Sequence, residues 1–346
     1  MKTAAAVCAD APSVARPRVV DFVELSKPRL NTLVLFTVAA GFLFAGQGMV
    51  TNWLLLMHTL LGTALVASGA SALNQLLERE SDARMHRTER RPLPAGRLQP
   101  GEALLFGLAA SACGLAYLVL SVPRPVAAGV AAVTLLSYVL IYTPLKQKTS
   151  LNTLAGAVPG ALPPLIGYTA ARGSLDLQAL ALFLILFLWQ IPHFLAIAWI
   201  YREDYERAGQ RMLPGIDRSG FLTALHIVTY CFALLPASLL PFVLGRAGMI
   251  YVAGAIALGS AFLAFSLAFL RDRSLARARD VMRASLIYLP VLLALLILNS
   301  QGRTSNFELQ ASAEVRSSKF EVRTESLLTT NHSPTEVDDF YGTRRP

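Results

Sequence analysis

The chain has little of what a soluble enzyme uses. Charged residues make up only 15% of its 346 positions against 54% hydrophobic ones. The apolar residues come in blocks rather than amphipathic stripes, which excludes an ordinary soluble domain. Its three cysteines, Cys8, Cys113 and Cys231, are scattered, so neither a disulfide framework nor a thiolate metal cluster is indicated. The opening MKTAAAVCADAPSVARP has too short an apolar core for a secretory signal, and so short an arm suits a bacterial inner membrane better than a mitochondrial precursor. Acids are outnumbered, 22 against 31 lysines and arginines, for a formal net charge of +9. That excess requires no nucleic-acid partner, because the basic residues sit beside membrane-length runs, where topology and anionic membrane lipid explain most of them.

What is present is hydrophobic length. Runs of roughly 17–25 apolar residues, each enough to cross a bilayer, predict nine helices at about 30–48, 52–77, 103–122, 125–143, 151–171, 178–200, 221–245, 248–270 and 282–299. The expected fold class is therefore all-α, a polytopic membrane bundle. Residues 1–26 form an N-terminal arm, 27–300 the membrane domain, and 301–346 a tail rich in Ser, Thr, Glu and Arg, with too little clustered apolar content to build a core. Lysine and arginine concentrate before the first span and after the even-numbered ones, whereas the odd connections hold none, Arg124, Arg172 and Arg246. The positive-inside rule then puts the N-terminus and all even connections in the cytoplasm. Nine spans place the C-terminus on the opposite side.

At the end of the second span stands Asn74-Gln75-Leu76-Leu77-Glu78-Arg79-Glu80-Ser81-Asp82. Asn74, Glu78 and Asp82 are spaced four apart and share one helical face, so they can hold a divalent cation where membrane meets water. Acids are costly at that depth and are retained for function. Arg79, Arg84, Arg87, Arg90, Arg91 and Arg97 interleave with them or follow, the charge pattern expected around a metal-bound polyphosphate. Pro92 and Pro94 end any helix and Gly96 permits a sharp turn, so this basic loop can fold back over the acids and exclude water. The fourth span exits through Tyr142-Thr143-Pro144-Leu145-Lys146-Gln147-Lys148-Thr149-Ser150-Leu151-Asn152, lysines, hydroxyls and amides beside a proline turn, which suit phosphate oxygens. The sixth ends in Trp189-Gln190-Ile191-Pro192-His193-Phe194 and then Tyr201-Arg202-Glu203-Asp204-Tyr205-Glu206-Arg207, a second acidic and basic exit opening on the same side.

These blocks, with Lys27-Pro28-Arg29 before the first span and DYERAGQRMLP at 204–214, resemble the UbiA superfamily of intramembrane prenyltransferases, and within it the haem-modifying branch. The resemblance covers roughly residues 24–299. It implies an all-helical bundle around a central cavity that opens to the cytoplasmic side and laterally to lipid. It assigns Asn74, Glu78 and Asp82 to magnesium-diphosphate binding, with Asp204 in the second acidic motif. Arg87, Arg91, Lys146 and Lys148 hold phosphate oxygens, and Tyr142, Asn152, Tyr201 and Tyr205 join the substrate-binding set. Two departures from the superfamily pattern stand out: Glu78 replaces a usual Asp, and Tyr201 and Tyr205 replace two aspartates four apart, leaving Glu203 and Asp204 as the acids there.

The activity implied is transfer of the farnesyl group of farnesyl diphosphate to a vinyl group of protohaem IX, with water addition, giving haem O and diphosphate. A haem A synthase or terminal oxidase would receive the product. His193 is a candidate to ligand haem iron or orient the porphyrin. Gly156, Gly160 and Gly167 allow close helix approach. Two other readings compete: a polyprenyltransferase acting on an aromatic acid or quinone precursor, and a haem transporter or chaperone with broken helices around a cavity. Acids and bases gathered on one membrane side favour an active-site cap over an alternating pathway.

Overall fold

The computed structural model describes residues 17–46 and 52–300; the expected tail at 301–346 and most of the arm lie outside them. Within that range the chain is helical with no strands. Eight helical stretches are long and apolar enough to cross a membrane: α2 (Pro28–Ala45), α3 (Trp53–Asp82), α4 (Pro100–Ser121), the continuous run Pro125–Lys148, α9 (Leu177–Ile200), α12 (Phe221–Val243), α13 (Met249–Arg271) and α14 (Leu275–Asn299). The ninth expected span is two helices, α7 (Asn152–Ala161) and α8 (Pro163–Arg172). Pro163 and Pro164 lack the N–H groups that would continue one ladder, so the break falls where the sequence demands it. Together the two pieces still have the length of a span.

The run Pro125–Lys148 corrects the reading of residues 142–148 as a proline turn. It comprises α5 (Pro125–Leu136), a π-helical stretch over Ser137–Tyr142 and α6 (Thr143–Lys148). Pro144 follows the widened turn, which accommodates a residue that cannot donate, and the turn itself comes only after Lys148. Three short helices cap one end of the bundle: α1 (Arg18–Leu25), α10 (Arg202–Arg207) and α11 (Leu213–Ile216).

Small residues let the backbones meet. α2 lies against α8 through Gly41 and Gly167, where an added methyl would overlap the carbonyl oxygens of Pro164 and Val38 respectively. Gly156 and Gly160 likewise leave room for the Tyr142 ring and the Gln190 carboxamide, in line with the close approach expected of them. Buried hydroxyls and amides add interhelical bonds, such as Tyr251 Oη donating to the Ser238 carbonyl at 2.6 Å and Gly248 N donating to Asn299 Oδ1 at 2.7 Å.

The connections sort to two ends. Arg246 donates to the Ala45 carbonyl, Arg124 to that of Ala170, and Tyr168 to Asp176, so the ends of α2, α8 and α12 gather with the starts of α5 and α9. At the other end the loop after α3, the α6–α7 turn, and α10 with α11 meet. α3 has 30 residues and is about 45 Å long, well beyond the about 30 Å of hydrocarbon in a bilayer. Its last turns, which carry the acids, therefore reach the interface at this second end.

Candidate active site

Asn74, Glu78 and Asp82 stand on one face of α3, at 1%, 6% and 1% exposure. Each faces one side-chain cation, and each cation comes from a different segment. Lys27, in the α1–α2 turn, donates to Asn74 Oδ1 at 2.8 Å. Lys146 on α6 places its ammonium 2.6 Å from Glu78 Oε1. Arg91, in the loop after α3, donates to Asp82 Oδ2 at 2.7 Å. The Asn74 amide donates in turn to Thr143 Oγ1 at 3.1 Å, and Thr143 donates back to the Tyr138 carbonyl at 2.9 Å, five residues earlier. That last bond spans the π-helical stretch. The extra residue in the π turn rotates Thr143 and Lys146 toward α3, a use of π-bulges common at functional sites.

Lys27 has a left-handed backbone, with φ 52° and ψ 59°, the only non-glycine with positive φ among the described residues. Such a conformation costs about 1–2 kcal/mol and is further disfavoured before a proline. Two buried amides hold the turn: Gln75 Nε2 donates to the Leu25 carbonyl at 2.6 Å, and Asn31 Nδ2 to that of Ser26 at 2.7 Å. Burial, followed by the Arg91 guanidinium nearby, lowers the Lys27 pKa to about 7, against the smaller opposing pull of Glu78.

The loop over residues 83–99 folds back over the acids. Thr88 Oγ1 donates to the Asp82 carbonyl at 2.8 Å, and Leu93 and Leu98 pack against Leu25, Ala72 and Ala103. Arg97 latches the loop to α1 through two carboxylates, with Nε 2.8 Å from Asp21 Oδ1 and Nη2 donating to Glu24 Oε2 at 2.6 Å. A cleft of about 220 Å³ opens between the end of α3 and α6, lined by Glu78, Ser81, Thr143, Lys146, Lys148 and Gln210 among others. Gln210 is buried, and its Oε1 has no hydrogen-bond partner among the described residues.

The second acidic exit is built differently from the first. Asp204 is paired with Arg207, which also touches His86 in the loop. The described residues contain no group of three or more His, Cys, Asp or Glu side chains that could hold a metal ion, so Asp204 does not join Glu78 and Asp82 in one acidic cluster. Tyr201 and Tyr205 support Arg87, whose guanidinium lies 5.2 Å and 4.7 Å from their ring centres. Lys146 similarly lies 4.6 Å from the Tyr142 ring centre. Asn152 spends its amide on two carbonyls, donating to Thr149 O at 2.7 Å and Arg211 O at 2.9 Å, which ties the α6–α7 turn to the segment after α10. His193 Nδ1 is 2.7 Å from Ser285 Oγ, and its ring stacks on Trp189 at 5.2 Å. Trp189 Nε1 donates to the Ser285 carbonyl at 2.8 Å, so both rings are fixed against α14.

Two buried carboxylates and an amide on one face suit a hard cation that takes its remaining ligands from water and substrate phosphates. Facing cations suit the phosphates themselves. Sequence reasoning did not assign Lys27, Thr143 or Gln210 to the site. Lys27 carried a signal in its place before Pro28 at the head of a span, and Thr143 in its place beside Pro144. Gln210 carried only its place in the block at 204–214.

Paired acids and cations gathered at one end of a membrane bundle define a site for an anionic, metal-bound ligand. The UbiA prenyltransferase family matches residues 34–292, and the chain belongs to that family. It is 47% identical over 291 residues to a protein from Solibacter usitatus (strain Ellin6076) named protoheme IX farnesyltransferase, an alignment covering 82% of this chain and 99% of that relative. A protein of the same name from Myxococcus xanthus (strain DK1622) is 45% identical over 285 residues, covering 82% and 95%. Among solved structures, digeranylgeranylglyceryl phosphate synthase matches with a TM-score of 0.70 at 18% identity, covering 82% of this chain and 99% of that one. A UbiA homologue from Archaeoglobus fulgidus bound to DMAPP and Mg2+ matches with a TM-score of 0.54 at 14% identity, covering 80% and 99%. Those two likenesses are of fold.

Proposed function

We propose that the protein transfers the farnesyl group of farnesyl diphosphate to a vinyl group of protohaem IX, releasing diphosphate and yielding haem O. The observation that carries this reading is the 47% identity, over 99% of its length, with a relative named protoheme IX farnesyltransferase. The paired acids and cations on and around α3 supply a chemical reason for it.

Magnesium, held by Asn74, Glu78 and Asp82, would neutralise charge on the departing diphosphate and so act as a Lewis acid. Asp204 does not gather with Glu78 and Asp82, and the metal-binding role is assigned to the α3 face alone. Lys146, Arg91, Lys148 and Arg87 take non-bridging phosphate oxygens and stabilise the negative charge that grows as the allylic C–O bond breaks. The covering loop limits water at that bond. The electron pair of the broken bond leaves with the diphosphate, and the vinyl π pair forms the new C–C bond. Water then adds to the porphyrin-side cation and gives up one proton to solvent or diphosphate. His193 and Trp189, fixed against α14, orient the porphyrin, and Nε2 of His193 is the nitrogen that does not face Ser285. The acidic end of the bundle faces the cytoplasm of a bacterial inner membrane, an orientation that the basic connections support. Asn299 then lies at the opposite face.

Purified protein given farnesyl diphosphate, magnesium and protohaem should form a haem heavier by one farnesyl group and one hydroxyl group, read by mass spectrometry. Product from an aromatic acid but not from protohaem would select the other prenyltransferase reading. Haem movement without diphosphate release would select transport.

A further inference from the structure

The α3 face meets three cations but holds two carboxylates. Glu78 pairs with Lys146 and Asp82 with Arg91, whereas Lys27 donates to the neutral carboxamide of Asn74 and pairs directly with neither acid. One half-buried ammonium is thus left without a counter-charge of its own, an arrangement that is costly unless an anion completes it. We propose that Lys27 is a diphosphate-binding residue, the third cation of a ring with Arg91 and Lys146 that closes on the leaving group. The proposal rests on the prenyl-diphosphate reading above.

The construction around Lys27 supports this. A lysine needed only for topology has no use for a left-handed backbone ahead of a proline, braced on both sides by the buried amides of Gln75 and Asn31. Strain retained in this way is typical of residues aimed at a ligand. A diphosphate carries several negative charges on compact oxygens, which a point-like ammonium matches. It would bridge cations contributed by the α1–α2 turn, the loop after α3 and α6. These three segments are distant in sequence, and the ligand would join them.

The test is titration calorimetry of the full chain in detergent, with inorganic pyrophosphate and magnesium as the probe. Lys27→Asn removes the ammonium while keeping a residue that tolerates the left-handed region, and it should bind about tenfold more weakly than the native protein, a loss of about 1.4 kcal/mol. Lys27→Arg should recover most of that affinity. Native binding by Lys27→Asn would overturn the proposal and leave the reading of the site intact, whereas failure of the native protein to bind the probe would remove that reading itself. A second measurement needs no variant. Labelling of the native protein with an amine-reactive reagent, read by peptide mass spectrometry, should show Lys27 protected by magnesium pyrophosphate, and unchanged labelling would count against the proposal.

Discussion

Glu78 and Lys146 illustrate how stability and chemistry share the same atoms. Their side chains are 8% and 13% exposed, so removing one partner leaves a poorly solvated charge, a defect that costs about 3–5 kcal/mol in buried pairs. Glu78→Gln should therefore lower the unfolding midpoint in detergent. The double variant Glu78→Gln, Lys146→Met should recover most of that loss, because no isolated charge remains. Turnover should stay at least about 100-fold down in both, since catalytic contacts to developing charge are typically of that size. Recovery of activity together with stability would show that the pair is architectural. The residues of this stripe were legible in the sequence because a spacing of four on a helix fixes a shared face. Which cation faces which acid was not legible, because the partners come from segments about 47 to 68 positions away along the chain, or from a loop whose course no periodicity specifies.

Among the elements, the α2–α8 contact and the π-helical stretch determine how the site is held. Gly167 leaves no space for a side chain beside the Val38 carbonyl, whereas nothing lies within 4 Å of the position a Cβ would take at Gly129. Gly167→Ala should force the helices apart and destabilise by about 1–3 kcal/mol. Gly129→Ala, within α5, should be neutral or stabilising by up to about 1 kcal/mol. Thermal unfolding in the same detergent compares the two, and equal effects would mean that the helices can separate at little cost. The spans themselves could be read from hydrophobic length. The break between α7 and α8 was implicit in Pro163-Pro164, but the π turn was not, because an inserted residue in a helix leaves no mark in an all-apolar run.

For the molecule as a whole, the covering loop depends on α1. Arg97 binds Asp21 and Glu24, and this links the N-terminal helix to the segment that carries Arg87 and Arg91. Arg97→Met should leave the membrane helices folded but loosen residues 83–99. Faster amide hydrogen exchange there and a raised KM for the prenyl diphosphate, with kcat less affected, are the expected signature. Unchanged exchange in that loop would show that packing of Leu93 and Leu98 alone holds it. The sequence by itself determined the class of this protein. Apolar length sets the number of crossings, the distribution of arginine and lysine sets which ends belong together, and helical spacing sets the acidic stripe, all of them local or periodic properties. Only the tertiary structure decided that Lys27, Arg91 and Lys146 converge on that stripe, that Tyr201 and Tyr205 support an arginine, and that Asp204 is paired away from the other acids. Those outcomes depend on how helices pack and rotate against one another, and that information is spread over the whole chain.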